Sequence, residues 1–254
     1  RYVNNRIPSL RELHVPEFMR DFALEKQGLI LVVGPNGHGK STTMASLIDV
    51  INNDRRANVV TIEDPIEFLH HHKKSNVNQR EVGTDTASFS EGLRSIFRQN
   101  PDVIVIGEMR DPESIQIALT AAETGHLVIA SMHALNATAA VDRILDVFPG
   151  DQQQQVRTQL ADSLQVVFSQ RLVPRASGHG RALAYEKVAH SHRVSKSIRE
   201  GRGHSLRQLM QSNMDELESI DRSLAALVAS GEVALDEARK WADDQRYMED
   251  LSKR

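Results

Sequence analysis

The segment Leu29 to Thr42, LILVVGPNGHGKST, constrains this chain more than any other. An apolar run, Leu29 to Val33, feeds a glycine-rich loop, and Lys40, Ser41 and Thr42 open a helical stretch. This is the phosphate-loop pattern G-x-x-x-x-G-K-[ST] in the strand–loop–helix setting it requires. Glycines let successive backbone N–H groups turn inward around a phosphate chain, and the helix N-terminus adds partial positive charge. The candidate phosphate-binding set is therefore Gly34, Pro35, Asn36, Gly37, His38, Gly39, Lys40, Ser41 and Thr42. Lys40 suits the β- and γ-phosphate oxygens, and the Ser41 hydroxyl suits Mg²⁺.

The rest of the chain supports an α/β fold around that loop. Apolar runs at 29–33, 58–62, 103–106 and 127–131 alternate with helical patterns at Ser41–Asn52, Ser88–Gln99 and Pro112–Thr124. Such alternation predicts a mostly parallel sheet covered on both faces. Asp111-Pro112 reads as a cap followed by proline at the first helical position. Beyond residue 150 the pattern turns helical. Val156, Leu160, Leu164, Val167 and Phe168 suggest one long helix, and Arg181–Val188 an edge strand. Leu217, Ile220, Leu224, Leu227 and Val228 form one stripe ending near Gly231, and Ala238, Trp241 and Met248 form another. Gln152–Gln155 reads as a solvated helix start. The expected organisation is a linker and first helix over 1–27, a core over 28–190 and a helical region over 191–254.

Composition narrows the class. The 254 residues can bury a sizeable core. No apolar run is long enough to span a bilayer, and no secretory leader is visible. With no cysteine there are no disulfides and no thiolate zinc sites, which fits a reducing compartment. A net charge of −3 leaves no nucleic-acid footprint. Arg1 is no initiator, so a segment is expected upstream.

Other side chains offer chemistry. The run PDVIVIGEMR (101–110) ends a buried strand on Glu108, a position suited to organising Mg²⁺ and its waters. Thr61–Glu67 ends another strand with Glu63, Asp64 and Glu67, one of which could orient and deprotonate water; the residues themselves do not choose. His133 follows the apolar run at 127–131 and is a candidate for the same site, with His126 a weaker one. His70–His72 with Lys73 and Lys74 is expected to be an exposed basic loop. Arg80, Arg94, Arg98 and Arg110 are candidate charge clamps.

Taken in order, the blocks GLILVVGPNGHGKSTT, TIEDPIEF, NQREVGTDTASF, PDVIVIGEMRD, TAAETGHLVIASMHA, DRILDVFP and SQRLVP resemble the secretion ATPase superfamily, most closely its type IV pilus retraction ATPases of the PilT/PilU type. The resemblance implies a RecA-like core that hydrolyses ATP with Mg²⁺ as a homohexamer. It places Glu67 as the activator of water, Gly107-Glu108 as an atypical Walker B acid acting on Mg²⁺ through water, and Gly125–His133 as a His box. It also implies an N-terminal PAS-like domain, joined through a linker like Arg6–Leu13 and expected to be absent here.

The partners implied are an inner-membrane pilus platform protein and a paralogous retraction ATPase. Location would be cytoplasmic, at the inner membrane, with membrane association through the partner only and no nucleic acid. Two departures stand out. Asn36 and His38 replace the usual Thr and Ser of the loop, and the family's octapeptide AIRNLIRE survives as Arg193–Glu200 with only its last three residues intact. The alternatives are an accessory PilU-like or regulatory module with little turnover and, more weakly, a pilus-extension or type II secretion ATPase or a DNA-directed motor. The extension and type II relatives usually carry a four-cysteine zinc insert.

Overall fold

The computed structural model describes residues 5–201, 203–210, 212 and 214–253, so a few positions of the expected terminal regions lie outside the described residues. In chain order its elements begin with α1 (Phe18–Ala23), β1 (Gly28–Val33), α2 (Lys40–Asp54), β2 (Asn58–Glu63), β3 (Asn76–Glu81) and α3 (Phe89–Ile96). Next come β4 (Val103–Ile106), α4 (Pro112–Glu123), β5 (Leu127–Met132), α5 (Ala137–Asp146), α6 (Gly150–Ser163), β6 (Leu164–Pro174) and β7 (Arg181–Ala189). The last are α7 (His192–Arg199), α8 (Gly203–Met210), β8 (Leu217–Glu218), α9 (Ile220–Ala229), α10 (Leu235–Trp241) and α11 (Gln245–Ser252).

The strands form one eight-stranded sheet in the order β3-β2-β4-β5-β1-β6-β7-β8. The pairs from β3 to β6 are parallel, and β7 and β8 add antiparallel at one side. Alternation within the strands explains the continuous apolar runs. Leu29, Leu31 and Val33 of β1 enter one core with α4, α5 and α6, while Ile30 and Val32 enter the other with α1 and α2. β4 and β5 divide in the same way. A strand buried on both faces needs apolar residues at every position. In such a sheet the site-forming loops lie beyond the carboxyl ends of the strands, and the loops after β1, β2, β4 and β5 carry the candidate residues.

Three expectations need correcting. The helix read over Val156–Phe168 stops at Ser163, and Leu164, Val167 and Phe168 belong to β6, fully inside the sheet beside β1. Spacing cannot separate a buried strand from a helix here, because no Gly or Pro marks the junction. Leu217 lies in β8, outside the helical stripe; Ser219 then caps α9 by accepting from the Arg222 N–H. The Ala238–Met248 stripe is two helices, the second capped by Asp244. Strand β3 was also missed, since its polar sequence NVNQRE suits a sheet margin and carries no apolar run. The Asp111 cap is present, accepting from the Ser114 N–H at 2.8 Å with Pro112 inside the first turn.

Candidate functional site

The phosphate loop owes its shape to contacts with β6. Gly34 has φ +148°, and a Cβ there would sit 2.4 Å from the Gln170 carbonyl oxygen, so only glycine fits. Gly39 takes the left-handed conformation (φ 83°) immediately before α2. Gln170 Nε2 donates to the His38 carbonyl at 2.6 Å, and the Leu172 N–H donates to His38 Nδ1 at 2.9 Å. From β7, Arg181 donates to the Gly37 carbonyl at 3.0 Å. Loop shape thus depends on β6 and β7, which follow it in sequence by more than a hundred residues.

Lys40 is buried, with its three donors committed inside the chain. Nζ reaches the carbonyls of Gly34 and Pro35 at 2.9 Å each and His133 Nδ1 at 3.2 Å. Burial lowers its pKa, against the opposing pull of Glu108 and Glu67. Because Nδ1 of His133 faces an ammonium, the ring proton sits on Nε2, which lies 3.2 Å from Glu108 Oε1. The other Glu108 oxygen accepts from Arg110 at 2.6 Å. Burial acts to raise the Glu108 pKa, but the Arg110 hydrogen bond and the nearby positive charges prevail and lower it. Gly107 before it lies close to β2: a Cβ would come within 3.1 Å of the Glu63 Cα and the Ile62 carbonyl oxygen, a tight contact that a larger residue would meet.

The Thr61–Glu67 acids are separated by their partners. Ser41 Oγ donates to Glu67 Oε1 at 2.9 Å, which puts Glu67 against the start of α2. Glu63 turns elsewhere, accepting from Thr61 at 2.6 Å and Gln79 at 3.0 Å through the same oxygen. Burial raises its pKa, with Glu67 and Glu81 adding to the rise against those two hydrogen bonds. Asp64 joins Glu63 and Glu67 along the wall of a common cavity.

That cavity has a volume of about 620 Å³ and is lined by Lys40, Ser41, Thr42, Glu67, Glu108, Arg110 and His133, among others. It therefore brings together the three acid–base candidates and most of the loop. Arg110 is there; Arg80 bonds Ser95, Arg94 pairs with Glu113, and Arg98 does not line the cavity. His126 also lies elsewhere, its ring edge-on to Phe97. Gln170, Leu172, Arg181 and Leu183 line the cavity but were not read as site residues. The SQRLVP block pointed at the first two without revealing a task.

His70 corrects the expectation of a wholly exposed basic loop. It is only 9% exposed and lines the cavity, and burial holds its pKa down at about 4. A histidine kept neutral by the fold costs stability once the unfolded chain can protonate. The penalty is absent above pH 6.5, grows as pH falls, and is complete near pH 4, where the shift amounts to about 3 kcal/mol. His70→Phe should therefore lose less stability than the parent between pH 6.5 and 4, by about that amount. Parallel denaturation profiles across this range would contradict it.

The residues fit a nucleotide and its ion. The N–H groups of Gly37 to Thr42 make no hydrogen bond within the chain among the described residues, as expected at the open end of a helix. With Lys40, Arg110 and Arg181 close by, they suit a chain of phosphates. The Ser41 hydroxyl and the Glu67 and Glu108 carboxylates supply hard oxygens beside that anion site. No cluster of three or more metal-binding side chains occurs among the described residues. This is the donor set of an ion that takes its remaining ligands from phosphate and water, as Mg²⁺ does.

Comparison with known proteins agrees with this chemistry. A family model described as type II/IV secretion system protein matches residues 11–250. A twitching motility protein of Neisseria gonorrhoeae is 43% identical over 98% of this chain and 67% of its own length. The type IV pilus retraction ATPase PilT of Pseudomonas aeruginosa is 42% identical over 95% of this chain and 70% of its own length. A crystal structure of the pilus retraction motor PilT with bound ADP superposes with a TM-score of 0.92 at 44% identity, covering 98% of this chain and 71% of that one. The chain thus spans about two thirds of the length of these relatives.

Proposed function

The chain belongs to the type II/IV secretion system protein family, and from that membership and the geometry of its cavity we propose that it is an ATP-hydrolysing motor powering type IV pilus retraction, the movement underlying twitching motility. The observation that carries the reading is the convergence of the loops after β1, β2, β4 and β5 on one cavity, with Lys40, Glu67, Glu108 and His133 around it.

The N–H groups at the start of α2 hold the phosphates of ATP. Lys40 exchanges its bonds to the Gly34 and Pro35 carbonyls for the β- and γ-phosphate oxygens. Glu67 takes a proton from the attacking water. His133, released from Lys40 at Nδ1, stays tied to Glu108 through Nε2 and so links the γ-phosphate side to β4. The Ser41 hydroxyl and, through water, the Glu108 carboxylate would hold Mg²⁺, which when bound would supply charge neutralisation at the phosphates. Besides Lys40, Arg110 and Arg181 line the cavity and add positive charge near the phosphates.

On this reading a linker over 1–27 leads into the core over 28–190 and a helical region over 191–254. The working form is a homohexamer in which domains draw together on ATP and part after hydrolysis. It acts at the cytoplasmic face of the bacterial inner membrane on the pilus platform protein, and membrane association comes through that partner. Among the described residues no helix is long and apolar enough to cross a membrane.

A second reading, an accessory ATPase of the PilU type, is favoured by the octapeptide region. Of its three retained residues, Ile198 is buried and Arg199 pairs with Asp162, so these two have structural tasks in the fold. Deleting the gene in the source bacterium and following single pili by fluorescence distinguishes the readings. A retraction motor predicts pili that extend and stay out. Retraction that continues with reduced force would favour the accessory role, and absence of surface pili would contradict both.

A further inference from the structure

His38 does more than occupy a place in the phosphate loop. Its carbonyl is held by Gln170 and its Nδ1 by the Leu172 N–H, while its ring meets Trp241 edge-on at 5.4 Å and 63°. Arg171, between those two β6 residues, turns the other way. It donates to the Trp241 carbonyl, to Leu135 at 3.0 Å and to Asp243 at 3.3 Å. The N–H groups of Asp243 and Asp244 in turn donate to the Asp221 carboxylate of α9. Three consecutive residues of β6 thus tie the phosphate loop to the end of α10 and to the segment just after His133.

From this arrangement we infer that His38 is a positioning residue which latches the phosphate loop to the C-terminal helices through Trp241, so that nucleotide occupancy and the seating of α10 are coupled. The inference rests on the nucleotide-binding reading of the cavity. Gln170 of β6 both holds the loop at His38 and lines the cavity, and among the described residues its buried Oε1 has no partner. Coupling of this kind is reciprocal: whatever unseats Trp241 must weaken nucleotide binding by the factor with which nucleotide seats it.

Trp241 is the chain's one tryptophan, so its emission reports the latch directly. The experiment titrates ADP into the protein, following tryptophan emission and, separately, binding by calorimetry. The expected result is an emission change whose midpoint matches the calorimetric Kd. In His38→Ser the emission change should be lost, with ADP bound about fivefold to tenfold more weakly, a coupling at the lower end of the usual range. Trp241→Ala should weaken ADP binding to the same extent, the double variant should be no weaker than either single one, and Trp241→Phe, which keeps a ring, should restore affinity. ADP binding by calorimetry with unchanged emission, or parental affinity in both His38→Ser and Trp241→Ala, overturns the latch while leaving the nucleotide site standing. Absence of calorimetric binding in the parent overturns both.

Discussion

Lys40→Ala is expected to lower nucleotide affinity by about a hundredfold to a thousandfold and to abolish turnover. Each charge-assisted hydrogen bond to phosphate contributes about 1.5–3 kcal/mol, and the ammonium serves two phosphates. The fold should survive. The ammonium is itself buried at a cost that lowers its pKa, and its removal relieves that cost while freeing the Gly34 and Pro35 carbonyls. Calorimetry with a non-hydrolysable ATP analogue, alongside a thermal melt, separates lost binding from lost structure. A folded Lys40→Ala protein that binds the analogue like the parent would place the phosphate site elsewhere.

The second large effect is at Glu67. Glu67→Gln should retain nucleotide binding within a few-fold and lose about 10²–10⁴ in kcat, the usual contribution of a general base. Glutamine can still accept from Ser41 Oγ, so the local contact is kept while the proton acceptor is lost. Glu63→Gln is the internal comparison. Glu63 is already engaged by Thr61 and Gln79, so its substitution should change kcat far less. Phosphate-release kinetics on both variants decide the matter. A larger loss in Glu63→Gln than in Glu67→Gln would move the base to Glu63.

What could be read from sequence follows from how local the determinants are. Strands β1, β2, β4 and β5 were legible because both faces are buried, which leaves an unbroken apolar run between helices capped by recognisable residues such as Asp111. The phosphate loop was legible because its glycines, lysine and hydroxyl lie within nine residues, Gly34 to Thr42. Strand β6 was not, because Leu164 to Phe168 continue the spacing of α6 without a breaker. Its role could not be read either. Gln170 and Leu172 act on His38, and Arg181 on Gly37, across separations of more than 130 residues.

The same limit applied to the acids and histidines. Pattern alone left Glu63, Asp64 and Glu67 equivalent; family resemblance singled out Glu67, which accepts from Ser41 at the start of α2. His70 looked solvated because its neighbours are polar, yet it lies buried at the cavity wall. Arg110 was one of four candidate arginines, and the only one of them that reaches the cavity.

The central claim is that the cavity hydrolyses ATP and that its activity is completed by assembly. The most direct measurement is phosphate release at saturating Mg·ATP across a range of protein concentrations, with Glu67→Gln run in parallel. A rate per chain that climbs cooperatively with concentration and vanishes in the variant is the predicted result. Tight ATP binding with no phosphate released at any concentration would contradict it.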